Sequence, residues 1–133
     1  ERNRVLTGLG RVPAGFSLYD GSGMSPYNRV TPQTVIQLLH LADRQSWGAA
    51  WRDDLPLAAV AGTLAHRFIG TAVSDRLHAK TGTLAATHSL SGYLQTTHGQ
   101  TLLIAIFAND VPDDLPHPKK IMDDLVTAVA VAE

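Results

Sequence analysis

Residues 81–109 carry no Asp, Glu, Lys or Arg, and this uncharged stretch limits what the second half of the chain can become. Its length alone would let it span a bilayer, but Thr, Ser, Gln, His and Gly recur through it, each poorly suited to hydrocarbon. The pattern predicts strands of a sheet in a soluble domain instead. Leu102-Leu103-Ile104-Ala105-Ile106-Phe107 is apolar at every position, which predicts a central strand over residues 101–108 with helices on both faces. Residues 90–96 place Leu90, Gly92 and Leu94 on one face and Ser91, Tyr93 and Gln95 on the other, with a turn at His98-Gly99. Residues 76–84 form the preceding strand, which ends in Lys80-Thr81-Gly82-Thr83.

Helices surround these strands. Thr31 can cap a helix whose first position suits Pro32, and Val35, Leu38, Leu39 and Ala42 carry its apolar face to about Gln45. A C-terminal helix is expected over residues 117–130, with Ile121, Leu125 and Val129, joined by Met122 and Val126, facing the core. A short helix is expected at residues 3–9 and a short strand at residues 16–19, which runs into the turn cluster Asp20-Gly21-Ser22-Gly23. Residues 47–64 should form short helical turns, with Trp47 and Trp51 in the core, and residues 70–75 a helical or loop connection. The class is α/β (α+β). With 133 residues, 44% of them hydrophobic, the chain can build one core but not two, and it is too apolar to be disordered.

Several function classes fall away on composition. A net charge of −1 excludes the basic surface that non-specific nucleic-acid binding needs. The chain has no cysteine, so disulfides and thiolate metal sites are excluded, although this names no compartment. Its six histidines lie too far apart in sequence for a local metal motif, so no metal is expected. The pairs Asp53-Asp54, Asp113-Asp114 and Asp123-Asp124 read as solvated ends, because adjacent helical carboxylates diverge. Gly21-Ser22-Gly23 fails as a nucleophile elbow because Asp20 holds the first glycine position, and Lys80-Thr81 fails as a phosphate loop because Ala79 precedes the lysine. The chain starts at Glu1 rather than Met and lacks an early apolar stretch of signal-peptide type, so a processed chain or a fragment is expected.

What remains is Lys80-Thr81-Gly82. On an edge strand the lysine offers a charge to a substrate carboxylate and the threonine a hydrogen bond. The glycine lets an acyl substrate lie along the strand, and the Thr83 N–H can face a developing oxyanion.

Context ties this box to one family. Asp20-Gly21-Ser22-Gly23-Met24-Ser25-Pro26, within residues 18–32, resembles the Asp-Gly-Ser-Gly-Leu-Ser-Arg segment of the serine D-alanyl-D-alanine carboxypeptidases of the penicillin-binding-protein-4 type, peptidase family S13. Leu55-Pro56 with Gly62-Thr63-Leu64 and Arg67, then Lys80-Thr81-Gly82, Ser91-Gly92-Tyr93 and Phe107-Ala108-Asn109, resemble later segments of that family in the same order. Met24 replaces the usual leucine, and Pro26 stands where the family often has arginine, so no role for that arginine is carried over. The family's nucleophile lies in Ser-x-x-Lys and its relay in Ser-x-Asn. None of the serines at 17, 22, 25, 46, 74, 89 and 91 has the required lysine or asparagine.

The resemblance implies a penicillin-recognising serine transpeptidase/β-lactamase-like fold. Residues 1–133 would be the C-terminal portion of that domain, with its third to fifth strands and last helix, and the nucleophile would lie before residue 1. It implies Lys80 as a catalytic residue, Thr81, Gly82 and Thr83 as substrate-binding, and no cofactor. The implied partners are peptidoglycan stem peptides ending in D-Ala-D-Ala, β-lactams and the N-terminal remainder of the same protein. No nucleic acid and no transmembrane segment are expected, and the implied location is periplasmic or extracytoplasmic. The chain by itself would be inactive. A non-catalytic interaction module on the same scaffold and a β-lactamase-like hydrolase are the alternatives, and the Asp-Gly-Ser-Gly segment argues against the second.

Overall fold

A computed structural model describes residues 16–133, so the helix expected at residues 3–9 lies outside the described residues. The chain enters through one antiparallel bridge, with Ser17 and Arg29 exchanging N–H to O=C bonds of 2.8 and 2.7 Å. The short strand expected at 16–19 is therefore only a bridge pair. Its extension is cut off at Asp20, whose side chain binds the following loop back on itself.

Helix α1 spans Pro32–Asp43. Thr31 caps it by accepting the Thr34 N–H at 3.2 Å, and Pro32 fills the first turn as its fixed φ allows. Thr34, Leu39 and Ala42 are buried, whereas Leu38 lies on the exposed flank of the expected stripe. A six-residue helix, α2 (Gly48–Asp53), and a 3-10 turn at Gly62–Leu64 make up the short helical turns of the middle segment.

Three antiparallel strands follow, β1 (Leu77–Leu84), β2 (Thr87–Gln95) and β3 (Thr101–Ala108), in the order β1-β2-β3. Lys80 pairs with Ser91, Thr83 with His88 and Tyr93 with Leu103. Among the described residues β2 lies between the other two strands, and β3, expected in the centre, has a strand partner on one side. Apolar residues on both faces report cover above and below a strand and say nothing about its lateral neighbours. That cover is present: α1 packs against β3 on one side, and on the other Leu102, Ile104 and Ile106 meet the main core.

The C-terminal helix α3 (Pro118–Ala132) closes the second face. Met122, Val126 and Ala130 are buried against Leu77, Ala79, Leu90 and Leu94, with Val129 packed alongside. Of the expected stripe, Met122, Val126 and Val129 meet the core, and Ile121 and Leu125 do not. Ile121 and Leu125 are each 53% exposed, because the helix turns its 122/126/130 row onto the sheet. The tryptophans are also outside the core. Trp47 and Trp51 are 51% and 37% exposed and pack edge to face on each other, ring centroids 6.1 Å apart. Arg52 takes the inward side of α2, its guanidinium 4.8 Å from the centre of the buried Tyr93 ring and ion-paired to Asp43. Tyr93 in turn donates its hydroxyl to the Leu39 carbonyl at 2.8 Å, and burial pushes its phenol pKa up. Among the described residues no helix is long and apolar enough to cross a membrane.

Candidate active site at the open edge of strand β1

Strand β1 has two differently treated edges. Its inner edge pairs with β2. On its outer edge Ala79 donates its N–H to the Pro56 carbonyl at 2.9 Å, and Ala58 donates to the Leu77 carbonyl at 3.0 Å. The segment around Leu57 therefore covers only the first residues of β1. Strand groups alternate with period two, so the Thr81 and Thr83 N–H groups point the same way as that of Ala79. Among the described residues no strand lies beyond Ala79 on that side. The edge is open where the Lys-Thr-Gly box begins.

Each expected site residue has a definite place along this edge. Lys80 is exposed, and its ammonium donates to the Thr81 carbonyl at 2.6 Å, which holds the charge at the outward edge of the strand. Thr81 is half-buried and donates its hydroxyl to Thr63 Oγ1 at 2.9 Å. A hydroxyl has one proton to give, so Thr63's own O–H is the one that can be donated into the adjoining cavity. Thr83 is exposed at the strand end.

Gly82 has a different local reason from the one expected. A Cβ there would lie 2.3 Å from Ser89 Oγ, so the space above Gly82 is filled by a hydroxyl of β2. The glycine lets Ser89 reach the edge strand.

Beside the edge lies a cavity of about 330 Å³ lined by Thr63, Arg67, Lys80, Thr81, Gly82, Thr83, His88, Ser89, Lys119 and Met122. All four expected residues share it. Sequence reasoning did not assign Thr63, Arg67, His88, Ser89 or Lys119 to the site. Thr63 and Arg67 stood within the family-like stretch, which was the only local signal for them. Arg67 binds Asp123 of α3 through Nε at 3.1 Å and through Nη2, tying the loop to the C-terminal helix. His88 Nδ1 is buried without a hydrogen-bond partner. Among the described residues no group of three or more His, Asp or Glu is placed to hold a metal ion.

The Asp20 loop is stiffened separately. Asp20 accepts from Asn28 Nδ2 at 2.7 Å, Ser22 Oγ at 2.7 Å and the Gly23 and Ser25 N–H groups, so the hydrogen bonds of Asn28 and Ser22 hold its carboxyl below the ordinary value.

An antiparallel sheet with an open Lys-Thr-Gly edge and a helix behind it defines the class first. The chain superposes on penicillin-binding protein 4 (dacB) from Haemophilus influenzae with a TM-score of 0.79 and 26% identity, covering 94% of this chain and 28% of that one. A second structure of that protein, complexed with a novel β-lactam, matches with a TM-score of 0.78 at 26% identity over 93% of this chain and 29% of that one. The fold is that of part of a penicillin-binding protein.

The family follows from the sequence match. Residues 2–131 match the D-Ala-D-Ala carboxypeptidase 3 (S13) family, and the chain belongs to it. It is 39% identical over 131 residues to a D-alanyl-D-alanine carboxypeptidase of Actinomadura sp. (strain R39), a match that covers 95% of this chain and 24% of that protein. The chain spans about a quarter of the length of the curated relatives it matches.

Proposed function

We propose that this chain is the C-terminal portion of the transpeptidase-like domain of a serine-type D-alanyl-D-alanine carboxypeptidase. The whole protein would act on peptidoglycan stem peptides, bind β-lactams and work outside the cytoplasm, in the periplasm where there is one. The observation that carries this reading is the open edge at Thr81–Thr83 with the Lys80 ammonium held against it, in a chain of the S13 family. That β-lactams occupy such a protein is supported by the β-lactam complex of the Haemophilus relative.

In this reading a serine from the segment before residue 1 attacks the carbonyl carbon of the terminal D-Ala–D-Ala bond. The tetrahedral oxyanion collapses, the terminal D-Ala leaves as its amine, and water then hydrolyses the acyl-serine ester. The substrate lies along β1 as an added strand, because among the described residues that edge has no strand beyond Ala79 to occupy its backbone groups. Lys80 keeps the site electropositive and attracts the terminal carboxylate. Thr81 and Thr63 act as a hydroxyl pair that delivers one hydrogen bond to it. Gly82, lacking a Cβ, lets the Ser89 hydroxyl border the substrate strand, and the Thr83 N–H supplies half of the oxyanion hole.

A fluorescent penicillin tests the reading. The full-length protein should be labelled covalently and the isolated chain should not. Stable labelling of the isolated chain would place a nucleophile within it and overturn the proposed division. In the full-length protein Lys80→Ala should slow acylation by roughly 10²–10³-fold, the scale of losing one preorganised charge-stabilising group. Unchanged acylation would remove Lys80 from the site.

A further inference from the structure

The loop that brings Thr63 and Arg67 to the cavity is held there under strain. Phe68, the residue after Arg67, has a φ of 64°, a left-handed conformation that a bulky side chain keeps only when its surroundings compel it. Ala59 (φ 61°) and Asp75 (φ 57°), at the two ends of the same loop, are left-handed as well. The groups that compel Phe68 can be named. Its ring is buried, and its carbonyl accepts the Thr71 and Ser74 hydroxyls at 2.8 and 2.6 Å. On its other side Arg67 is fastened to α3, where Asp123 accepts from Nε at 3.1 Å with one oxygen and from Nη2 with the other. The same guanidinium lies 5.5 Å from the centre of the Phe68 ring.

These ties reach the open edge of β1. Between Thr63 and Arg67 the chain is a tight turn, with the Ala65 N–H bonded to the Gly62 carbonyl at 3.2 Å and the Arg67 N–H to the Leu64 carbonyl at 3.0 Å. Thr63 and Arg67 therefore shift together. Thr63 Oγ1 accepts the Thr81 hydroxyl at 2.9 Å. Thr81 shares the face of β1 with Ala79, which packs in the core against α3, so loop, helix and Thr81 meet on one side of the sheet. Among the described residues the outer edge of β1 has backbone partners as far as Ala79, and the Thr63–Thr81 bond is the next tie along it.

We infer that Asp123 is a positioning residue for the Lys-Thr-Gly box, acting through Arg67 and Thr63 on Thr81. The inference rests on the carboxypeptidase reading and goes beyond it, because Asp123 belongs to the C-terminal helix and does not line the cavity. Without its carboxylate Arg67 loses both of these bonds, the left-handed turn at Phe68 relaxes, and Thr63 moves off Thr81. The Thr81 side chain then samples other rotamers, and the edge on which the substrate is laid loses its last fixed point.

The test uses the full-length protein and two readouts, the rate of acylation by a fluorescent penicillin and the NMR signal of the Thr81 methyl group, whose shift reports its rotamer. Asp123→Asn keeps the shape of the side chain and turns one acceptor into a donor against the guanidinium. It should slow acylation roughly ten- to hundredfold, the scale of a small misplacement at a site, and move the Thr81 signal toward rotamer averaging. Thr63→Val should do the same, and Thr63→Ser should restore the wild-type rate. Because both residues act along one path, Asp123→Asn combined with Thr63→Val should be no slower than the slower single variant. Asp124→Asn removes the surface pair with Lys120 on the same helix and should change neither readout. Arg67→Lys takes the place of Asp123→Asn if that variant does not fold. It keeps a charge and one bond, and should give a smaller change in both readouts. A wild-type rate or an unshifted Thr81 signal in Asp123→Asn overturns the role of Asp123, as do losses that multiply in the double variant. Wild-type protein that is never acylated overturns the peptidase reading instead, and the Thr81 signal then decides the positioning by itself.

Discussion

Gly92 is held in its place by its neighbours. A Cβ there would lie 2.0 Å from the His78 carbonyl oxygen and 2.6 Å from the Ala79 Cα, both backbone atoms of β1. Backbone cannot swing aside as a side chain tip can, so Gly92→Ala must part β1 from β2 just below the Lys-Thr-Gly box. The variant should lose about 1–3 kcal/mol or more, the range for overpacking a filled site, measured by urea unfolding. Stability within a few tenths of wild type would show that the two strands can separate cheaply. Gly82 contrasts with it, because its only close contact is Ser89 Oγ, which a rotamer change can move. Both glycines were visible in the sequence, but which one is irreplaceable depends on the strand opposite.

At the scale of elements, α3 is fixed to the site by two different forces. Met122, Val126 and Ala130 bury its inner row, and Arg67–Asp123 joins its first half to the loop that carries Thr63. Both side chains of that pair are largely shielded from solvent, so its loss should be felt more than that of a surface pair. Asp123→Ala should destabilise the fold by roughly 1–3 kcal/mol. A double-mutant cycle with Arg67→Ala should return a coupling of the same sign, and additivity of the two single changes would mean that the bond holds nothing. The helix period was legible in residues 117–130, and so were the Thr31-Pro32 start of α1 and the span of β3. Met122 and Val126 were legible as core-facing, but the exclusion of Ile121 and Leu125 from the core was not. Ile121 and Leu125 are as apolar as Met122 and Val126, and the choice between rows is made by the shape of the sheet beneath.

Among the described residues, apolar surface is left uncovered at Ile121, Leu125, Trp47 and Trp51, and β1 keeps an open edge. Studied in isolation, the chain should therefore self-associate, because exposed apolar rows and unpaired strand edges both favour contact between copies. Size-exclusion chromatography should give a species above monomer mass, and Ile121→Glu with Leu125→Lys should shift it toward monomer. A clean wild-type monomer with a cooperative melt would count against this. The sequence by itself determined the local elements and the ordered boxes that place the chain in the S13 family, because helix caps, strand alternation and short motifs are set by residues close together along the chain. Only the tertiary structure decided that β2 lies between the other two described strands, that Trp47 and Trp51 stay outside the core, that the described edge opens beyond Ala79, and that Thr63 and Arg67 join the Lys-Thr-Gly box at one cavity. Those outcomes depend on partners tens of residues apart, and local periodicity carries no record of which of two equally apolar or equally charged neighbours the rest of the fold will cover.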